Sequence, residues 1–373
     1  MKQSNDVIVL GGGLAGLTAA IHLAKFGKKV ALIEKDAYPK HKVCGEYISN
    51  EVSGYLNWLN IDLTTLNPIK INQTQISIAT GQAIFAELPL GGFGVSRYVL
   101  DNHLYQKALS LNVVFHFENI TEINFSNHHF IIKTNTEQVY MAPIALGCFG
   151  KRSILDFSLK RSFLQKKSPW LGVKSHYKAS FPDELVGLHH FENGYCGVSN
   201  VSENVINVCY LVAYKTFRKY KNIDHFEKEI LCANPILKKI LSQSQRIFEK
   251  PLTISQISFE NKNPVENQLL MLGDAAGMIH PLCGNGMAMA IHSAKIASEQ
   301  VLSFLNNEIT RKEMEIKYID EWQKQFKNRL LFGKILSKIL LNPYCNRLLM
   351  FISLKCPPLT TFLIKKTHGK PIL

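Results

Sequence analysis

Residues 6–16 read Asp6-Val7-Ile8-Val9-Leu10-Gly11-Gly12-Gly13-Leu14-Ala15-Gly16. A short apolar run, a glycine cluster and a helical pattern predict a buried parallel strand, a tight turn and a helix from about Leu14 to Phe26. Gly11, Gly13 and Gly16 satisfy G-x-G-x-x-G. The first glycine permits the turn, the second lets backbone approach a pyrophosphate, and the third lets helix and strand pack closely. The phosphate then meets the positive end of the helix. Gly27 ends that helix, with Lys28 and Lys29 at its negative end. Val30 to Ile33 forms a second strand ending at Glu34, placed to accept hydrogen bonds from ribose hydroxyls.

A second stretch near the far end of the chain decides which dinucleotide is held. Leu270-Met271-Leu272-Gly273-Asp274-Ala275-Ala276-Gly277 runs into His280-Pro281 and then Gly284-Asn285-Gly286. Asp274 follows an apolar strand, so it projects from the carboxyl end of the same sheet, where ligands lie. A carboxylate there accepts a hydrogen bond from a polyol chain, which FAD has in its ribitol and NAD lacks. The Gly284 to Gly286 turn starts a further helix, from Gly286 to Leu305, whose positive end can face the flavin or the pyrophosphate. One long ligand gripped at both ends reads as FAD rather than as a nicotinamide.

Between these motifs the pattern changes. The Tyr38 to Ile48 stretch reads as a loop, and no clear period follows until Leu90. Arg97 opens a helix to about Leu109, and Val113 to Phe117 and Phe130 to Thr134 read as strands. Leu171 to Tyr177, Val186 to Phe191, Tyr195 to Ser199 and Val205 to Val212 are strands without helices between them, which predicts an antiparallel sheet. The expected class is α/β: a discontinuous Rossmann-type FAD-binding domain with a mainly parallel sheet (1–70, 95–160 and 255–305), and an antiparallel substrate domain (71–94 and 161–254). A basic, apolar helical region (306–373) closes the chain.

The chain has 373 residues and a formal charge of +14. From Trp322 onward there are ten Lys or Arg and no Asp or Glu, leaving 33 basic against 29 acidic residues before it. No nucleic-acid module accompanies this charge. In Leu330 to Leu341 apolar residues alternate with lysines, as in an interfacial helix or a helix packed on the body with solvated lysines. No secretory signal and no apolar run of about 18 residues is seen. A cytoplasmic protein is expected, with membrane-surface contact through the C-terminal region. Eight cysteines show neither a CxxC pair nor metal-ligand spacing, so they are expected to be reduced, and no metal is expected.

These motifs resemble the flavoprotein group that includes geranylgeranyl reductases, p-hydroxybenzoate-hydroxylase-type monooxygenases and flavin-dependent halogenases. The likeness covers most of residues 5 to 305. It rests also on Lys42-Val43-Cys44-Gly45, on Arg97 with Leu100-Asp101 and Leu104, and on Gly194-Tyr195-Cys196-Gly197-Val198. Gly273 to Gly277, Pro281 and Gly284-x-Gly286 resemble the reductase branch most closely. The resemblance implies that Arg97 contacts the pyrophosphate and that Lys42 to Gly45 border the isoalloxazine. Motifs and resemblance together name Gly11, Gly13, Leu14, Ala15, Gly16, Glu34, Lys35, Lys42, Cys44, Gly45, Arg97, Ile120, Asp274, Pro281, Gly284, Gly286 and Met287 as cofactor-binding. Cys44, by analogy with a cysteine beside the flavin in such reductases, is expected either to supply a proton or to fill space, and His280 is a second catalytic candidate.

Two departures from that pattern are informative. The superfamily's Asp-Gly pair, linked to flavin and NADPH handling, is replaced in Cys148-Phe149-Gly150-Lys151-Arg152-Ser153. Phe149 stands where the acid would be, leaving a ferredoxin-type or other electron donor open beside NADPH. The halogenases' W-x-W-x-I-P element is absent; Trp58, Trp170 and Trp322 stand apart. Reduced flavin can transfer hydride to a carbon–carbon double bond or, with oxygen, hydroxylate an aromatic ring. The apolar second sheet and the tail suit a lipophilic substrate such as an isoprenoid, polyketide or quinone precursor. Double-bond reduction leads, followed by aromatic hydroxylation, with a non-catalytic electron relay as a third reading.

Overall fold

The computed structural model describes residues 5–151, 153–166 and 168–373. Residues 1–4 of the polar start and Arg152 of the Phe149 loop lie outside the described residues. The strand Val7–Leu10, helix Leu14–Lys25 and strand Val30–Glu34 form the expected βαβ start. They belong to a six-stranded sheet whose spatial order is Val265–Glu266, Leu269–Met271, Ile144–Gly147, Val7–Leu10, Val30–Glu34, Val114–Phe117. All pairs are parallel except the edge strand Val265–Glu266. Helices cover the central strands, so Val7–Leu10 and Val30–Glu34 are buried at every position, and Val7 to Leu10 and Val30 to Ile33 read as continuous apolar runs.

Two glycines bring strand and helix together. Gly11 has φ +108°, and a Cβ there would lie 2.6 Å from the Cys148 carbonyl oxygen of the neighbouring strand end. A Cβ at Gly16 would overlap the Gly11 carbonyl oxygen. Any side chain at either position would push the helix off the sheet.

A larger, mostly antiparallel sheet contains Trp170–Lys178, Leu185–Phe191, Gly194–Ser202 and Val205–Ala213. It also contains a hairpin for which no period was expected, Ile69–Ser77 with Ala83–Gly94. The reason lies in its burial. Many hairpin positions are half-exposed, and the register slips between Ile71 and Gln73, which breaks the period of two. Ile69–Ser77 pairs with Leu185–Phe191 in parallel, and Tyr47–Ser49, expected as loop, pairs with Ala83–Gly94 at the sheet edge.

Side chains of this sheet alternate between two faces. Leu171, Val173, Tyr177, Val208 and Tyr210 pack against Phe226, Leu231 and Leu237 of the short helices behind it. Gly172, Lys174 and His176 therefore turn the other way, toward the dinucleotide domain. Their register partners Leu211, Cys209 and Asn207 accompany them.

The C-terminal region is helical: Arg311–Leu341, Pro343–Lys355 and Pro357–Thr367. Thr310 and Glu313 form a reciprocal capping box at the start of the long helix. That helix packs Tyr318, Trp322 and Phe326 into the main core, and the Tyr318 hydroxyl donates to the Met271 carbonyl at 2.5 Å. Farther along, apolar residues occupy two sides rather than the single face expected. Leu336 and Leu340 are buried, whereas Leu331, Ile335 and Ile339 are exposed. The chain end is fastened to the first domain, because the Gly369 N–H donates to Glu51 Oε2 at 2.5 Å and the Ile372 N–H to the Glu51 carbonyl at 2.8 Å.

Candidate active site

A cavity of about 1020 Å³ runs from the glycine turn, between the two sheets, to the C-terminal helices. Gly11, Gly13, Leu14, Ala15, Glu34, Lys35, Lys42, Cys44, Gly45, Arg97, Ile120, Asp274, Pro281, Gly284, Gly286 and Met287 all lie on its wall. Gly16 does not; it sits behind the turn, where its role is helix–strand contact. His280 is also off the wall, which corrects the expectation of an acid–base role. Its Nδ1 accepts the Leu282 N–H at 3.4 Å and its ring packs 4.7 Å from that of Phe259. Burial, with His190 nearby, pulls its imidazole down to about 3, so it stays neutral.

At the glycine end, the helix Leu14–Lys25 begins at Gly13 with no side-chain cap and no acid in its first turn. Its first N–H groups are therefore left for a ligand. A Cβ at Gly13 would approach only Lys42 Nζ, at 3.8 Å, so the backbone here is open to the cavity. Glu34 Oε2 accepts the Gly12 N–H at 2.8 Å, and Lys40 Nζ lies 2.8 Å from Oε1. Burial alone would raise the Glu34 carboxyl, but Lys42 and Lys40 outweigh it and hold the group below its usual range. Arg97 is buried and bidentate to Asp101, at 2.6 and 2.8 Å, with Lys42 Nζ 3.4 Å from the same carboxylate. Asp101 thus holds two cations at the cavity wall. An uncapped helix end, fixed cations and a volume at the top of the usual range for ligand sites fit the pyrophosphate and adenosine of FAD.

The loop after Cys44 is clasped by the second sheet. Glu46, at φ +56° and wholly buried, receives Lys174 Nζ on Oε1 at 2.5 Å and His176 Nε2 lies 2.6 Å from Oε2. The Arg97 N–H donates to Oε1 at 2.7 Å. Burial would raise the carboxyl, yet the His176 hydrogen bond and the Lys174 charge bring it below its usual value. Asn207, opposite His176 in register, donates to the Cys44 carbonyl at 3.1 Å. Glu46, Lys174, His176 and Asn207 were not legible as site residues. The available signal was a lysine and a histidine two apart within a strand buried at nearly every position.

Asp274 is also held by residues the sequence did not reveal. Lys262 Nζ donates to the Asp274 carbonyl at 2.6 Å, and Arg161 Nη1 to the Ala275 carbonyl at 2.9 Å. Burial lowers the Lys262 ammonium to about 8.

Beyond Cys44 the cavity becomes apolar. Ile76, Val186, Leu188, Leu211, Leu336 and Leu349 are among its walls. Four thiols are on the cavity wall, Cys44, Cys148, Cys209 and Cys283. Cys44 Sγ lies 3.4 Å from Met287 Sδ. Burial, with Cys44 beside it, pushes the Cys209 thiol up to about 12, so it keeps its proton at neutral pH. Phe149 lines the cavity beside the Gly11 turn.

Residues 6–41 match the FAD binding domain family, over the strand, glycine turn and Glu34 just described. Residues 234–346 match the squalene epoxidase family. Digeranylgeranylglycerophospholipid reductase of Methanosarcina acetivorans is 24% identical over 346 residues, covering 87% of this chain and 82% of its own. The chain belongs to the FAD-dependent oxidoreductase superfamily. A second relative of this FAD-dependent oxidoreductase is 1H-pyrrole-2-carbonyl-[peptidyl-carrier protein] chlorinase of Pseudomonas fluorescens. It is 24% identical over 353 residues, covering 81% of this chain and 76% of its own. The flavin-dependent brominase Bmp2 superposes with a TM-score of 0.79 over 98% of this chain and 93% of its own, at 16% identity. That likeness is one of fold. In this oxidoreductase Trp58 stacks on Tyr55, Trp170 lies against Phe259 and Trp322 against Phe326, at three separate places.

Proposed function

We propose that this oxidoreductase reduces a carbon–carbon double bond of a lipophilic substrate, such as an isoprenoid, polyketide or quinone precursor. The observation that carries this reading is the cavity itself. It is continuous from the dinucleotide-binding turn to a long apolar chamber, and the thiols of Cys44 and Cys209 stand on its wall. Bound FAD supplies a hydride when reduced. The chain's own residues bind and orient the substrate on apolar walls, exclude water, and hold the proton that balances hydride addition. Cys44 is our candidate for that proton's donor, with Cys209 beside it as a reserve. Phe149, in place of an acid, favours a ferredoxin-type or other donor over direct reduction by NADPH.

The test is anaerobic. Holoenzyme reduced by dithionite is mixed with a geranylgeranyl lipid, and flavin reoxidation is followed with mass analysis of the product. A product heavier by two hydrogens, formed without oxygen, is expected. Substrate consumption only in oxygen would replace this reading with aromatic hydroxylation, and no turnover in either condition would leave an electron relay.

A further inference from the structure

The last two helices bury polar residues and expose large apolar ones. Pro343–Lys355 buries Asn346, Met350 and Ser353, and Pro357–Thr367 buries Thr360 and Thr367. Asn346 and Ser353, like Thr360 and Thr367, are about two turns apart, so each helix turns two polar residues inward, beside Leu349 and Met350 in the first and Leu363 and Ile364 in the second. All four polar residues are on the cavity wall. The outward faces are apolar instead: Tyr344, Leu348, Phe351 and Phe362 are 82, 61, 59 and 52% exposed. A helix packed on a water-soluble body shows the opposite arrangement. Leaving these rings and aliphatic chains in water forgoes burial that the same residues would gain in a lipid phase.

Charge chooses the partner. Arg347, Lys355, Lys365 and Lys366 are exposed around this apolar surface, and residues 322–373 contain no acid. A second copy of the chain would bring the same positive face and be repelled. Among the described residues no single helix is long and apolar enough to cross a membrane. The two helices together have the apolar composition of a span but are bent by 117°, which suits lying in a headgroup layer better than crossing it.

We propose that Pro343–Lys355 and Pro357–Thr367 dock the protein onto an anionic lipid surface. One side of the pair then meets lipid while the other walls the cavity. Delivery of a lipophilic substrate past this pair rests on the reading of the cavity given above; the docking itself does not.

The yellow holoenzyme is floated with vesicles of phosphatidylcholine alone and of phosphatidylcholine with phosphatidylglycerol. Binding to the anionic vesicles, weakened by salt, is expected. L348E/F351E and, separately, K365Q/K366Q should each lower the bound fraction about tenfold, with flavin absorbance unchanged because none of the four side chains holds the cofactor. Tyr344→Trp keeps the surface intact and should shift its emission to the blue on adding anionic vesicles. No binding to those vesicles, or no shift of the tryptophan, would overturn the proposal. So would a concentration-dependent dimer that L348E/F351E abolishes, which would assign the surface to a second copy. These measurements need no turnover, so failure of alkene reduction and failure of docking are read separately.

Discussion

Lys174 Nζ sits 2.5 Å from Glu46 Oε1, and both side chains are wholly shielded from solvent. The pair joins the two halves of the molecule. Glu46 follows Cys44-Gly45 on the dinucleotide side, and Lys174 comes from the inward face of the second sheet. With His176 and Asn207 it sets where the Cys44 loop stands.

Breaking that pair should loosen the flavin site. Glu46→Gln leaves Lys174 buried without its counter-ion, a loss of about 3 kcal/mol. We expect a lower melting temperature together with easier flavin release, followed by flavin fluorescence. The pH dependence has a definite sign. The Glu46 carboxyl lies below its ordinary value of 4.5 in the folded protein. Its stabilisation is therefore complete above about pH 4.5 and is lost as pH falls through the lower folded value. Acid release of flavin should begin at higher pH in the variant. An unchanged melting temperature would show the pair to be immaterial.

Cys44→Ala tests the proton donor. Removing a general acid typically costs about 100-fold or more in rate. Flavin content and reduction by dithionite should survive, while substrate-driven reoxidation slows. The profile against pH should change as well, which a space-filling role would not produce. Full activity in the alanine variant would assign Cys44 to packing.

Gly277 has a packing reason. A Cβ there would lie 2.9 Å from the Trp322 ring and 3.2 Å from Leu330. Gly277→Ala should cost about 1–3 kcal/mol by overpacking, and Trp322→Ala about 3–5 kcal/mol by leaving a cavity. Chemical denaturation measures both. Additive losses in the double variant would contradict a direct contact between the two positions.

Arg329 fastens the chain end. Its Nη1 lies 3.2 Å from Glu51 Oε1 and 3.3 Å from Asn285 Oδ1, the residue just before the flavin-side helix. Arg329→Met should leave Glu51 buried and short of a partner, at a cost of about 3 kcal/mol. Amide exchange should rise at Gly369 and Ile372, whose N–H groups bond Glu51. Unchanged exchange there would refute the latch.

The motifs were legible because their chemistry is local. Gly11, Gly13 and Gly16 serve a turn closed within six residues, and the buried strands beside them are continuous apolar runs, so spacing alone identifies them. The four central strands of the second sheet were legible because each is a short, largely buried run that follows the last without a helix between them. The hairpin Ile69–Ser77 with Ala83–Gly94 was not, because half-exposure and a register slip erase the period. His280 misled for a different cause. Its place beside Pro281 suggested the flavin, but its ring turns into an aromatic cluster, a matter of side-chain direction that spacing does not encode.

By itself, the sequence determined that this protein holds a dinucleotide at a strand–turn–helix junction, and it placed Asp274 after a second buried strand at the carboxyl end of the same sheet. Turn geometry, helix-end charge and strand burial act over a few neighbouring residues. Only the tertiary structure decided how Cys44-Gly45-Glu46 is clasped and what lies beyond it. Glu46 and Lys174 are 128 residues apart, so their pairing exists only after two sheets have packed. The same holds for the C-terminal helices. Which face of a helix is buried depends on what packs against it, and here the cavity took the side that carries Asn346, Ser353, Thr360 and Thr367.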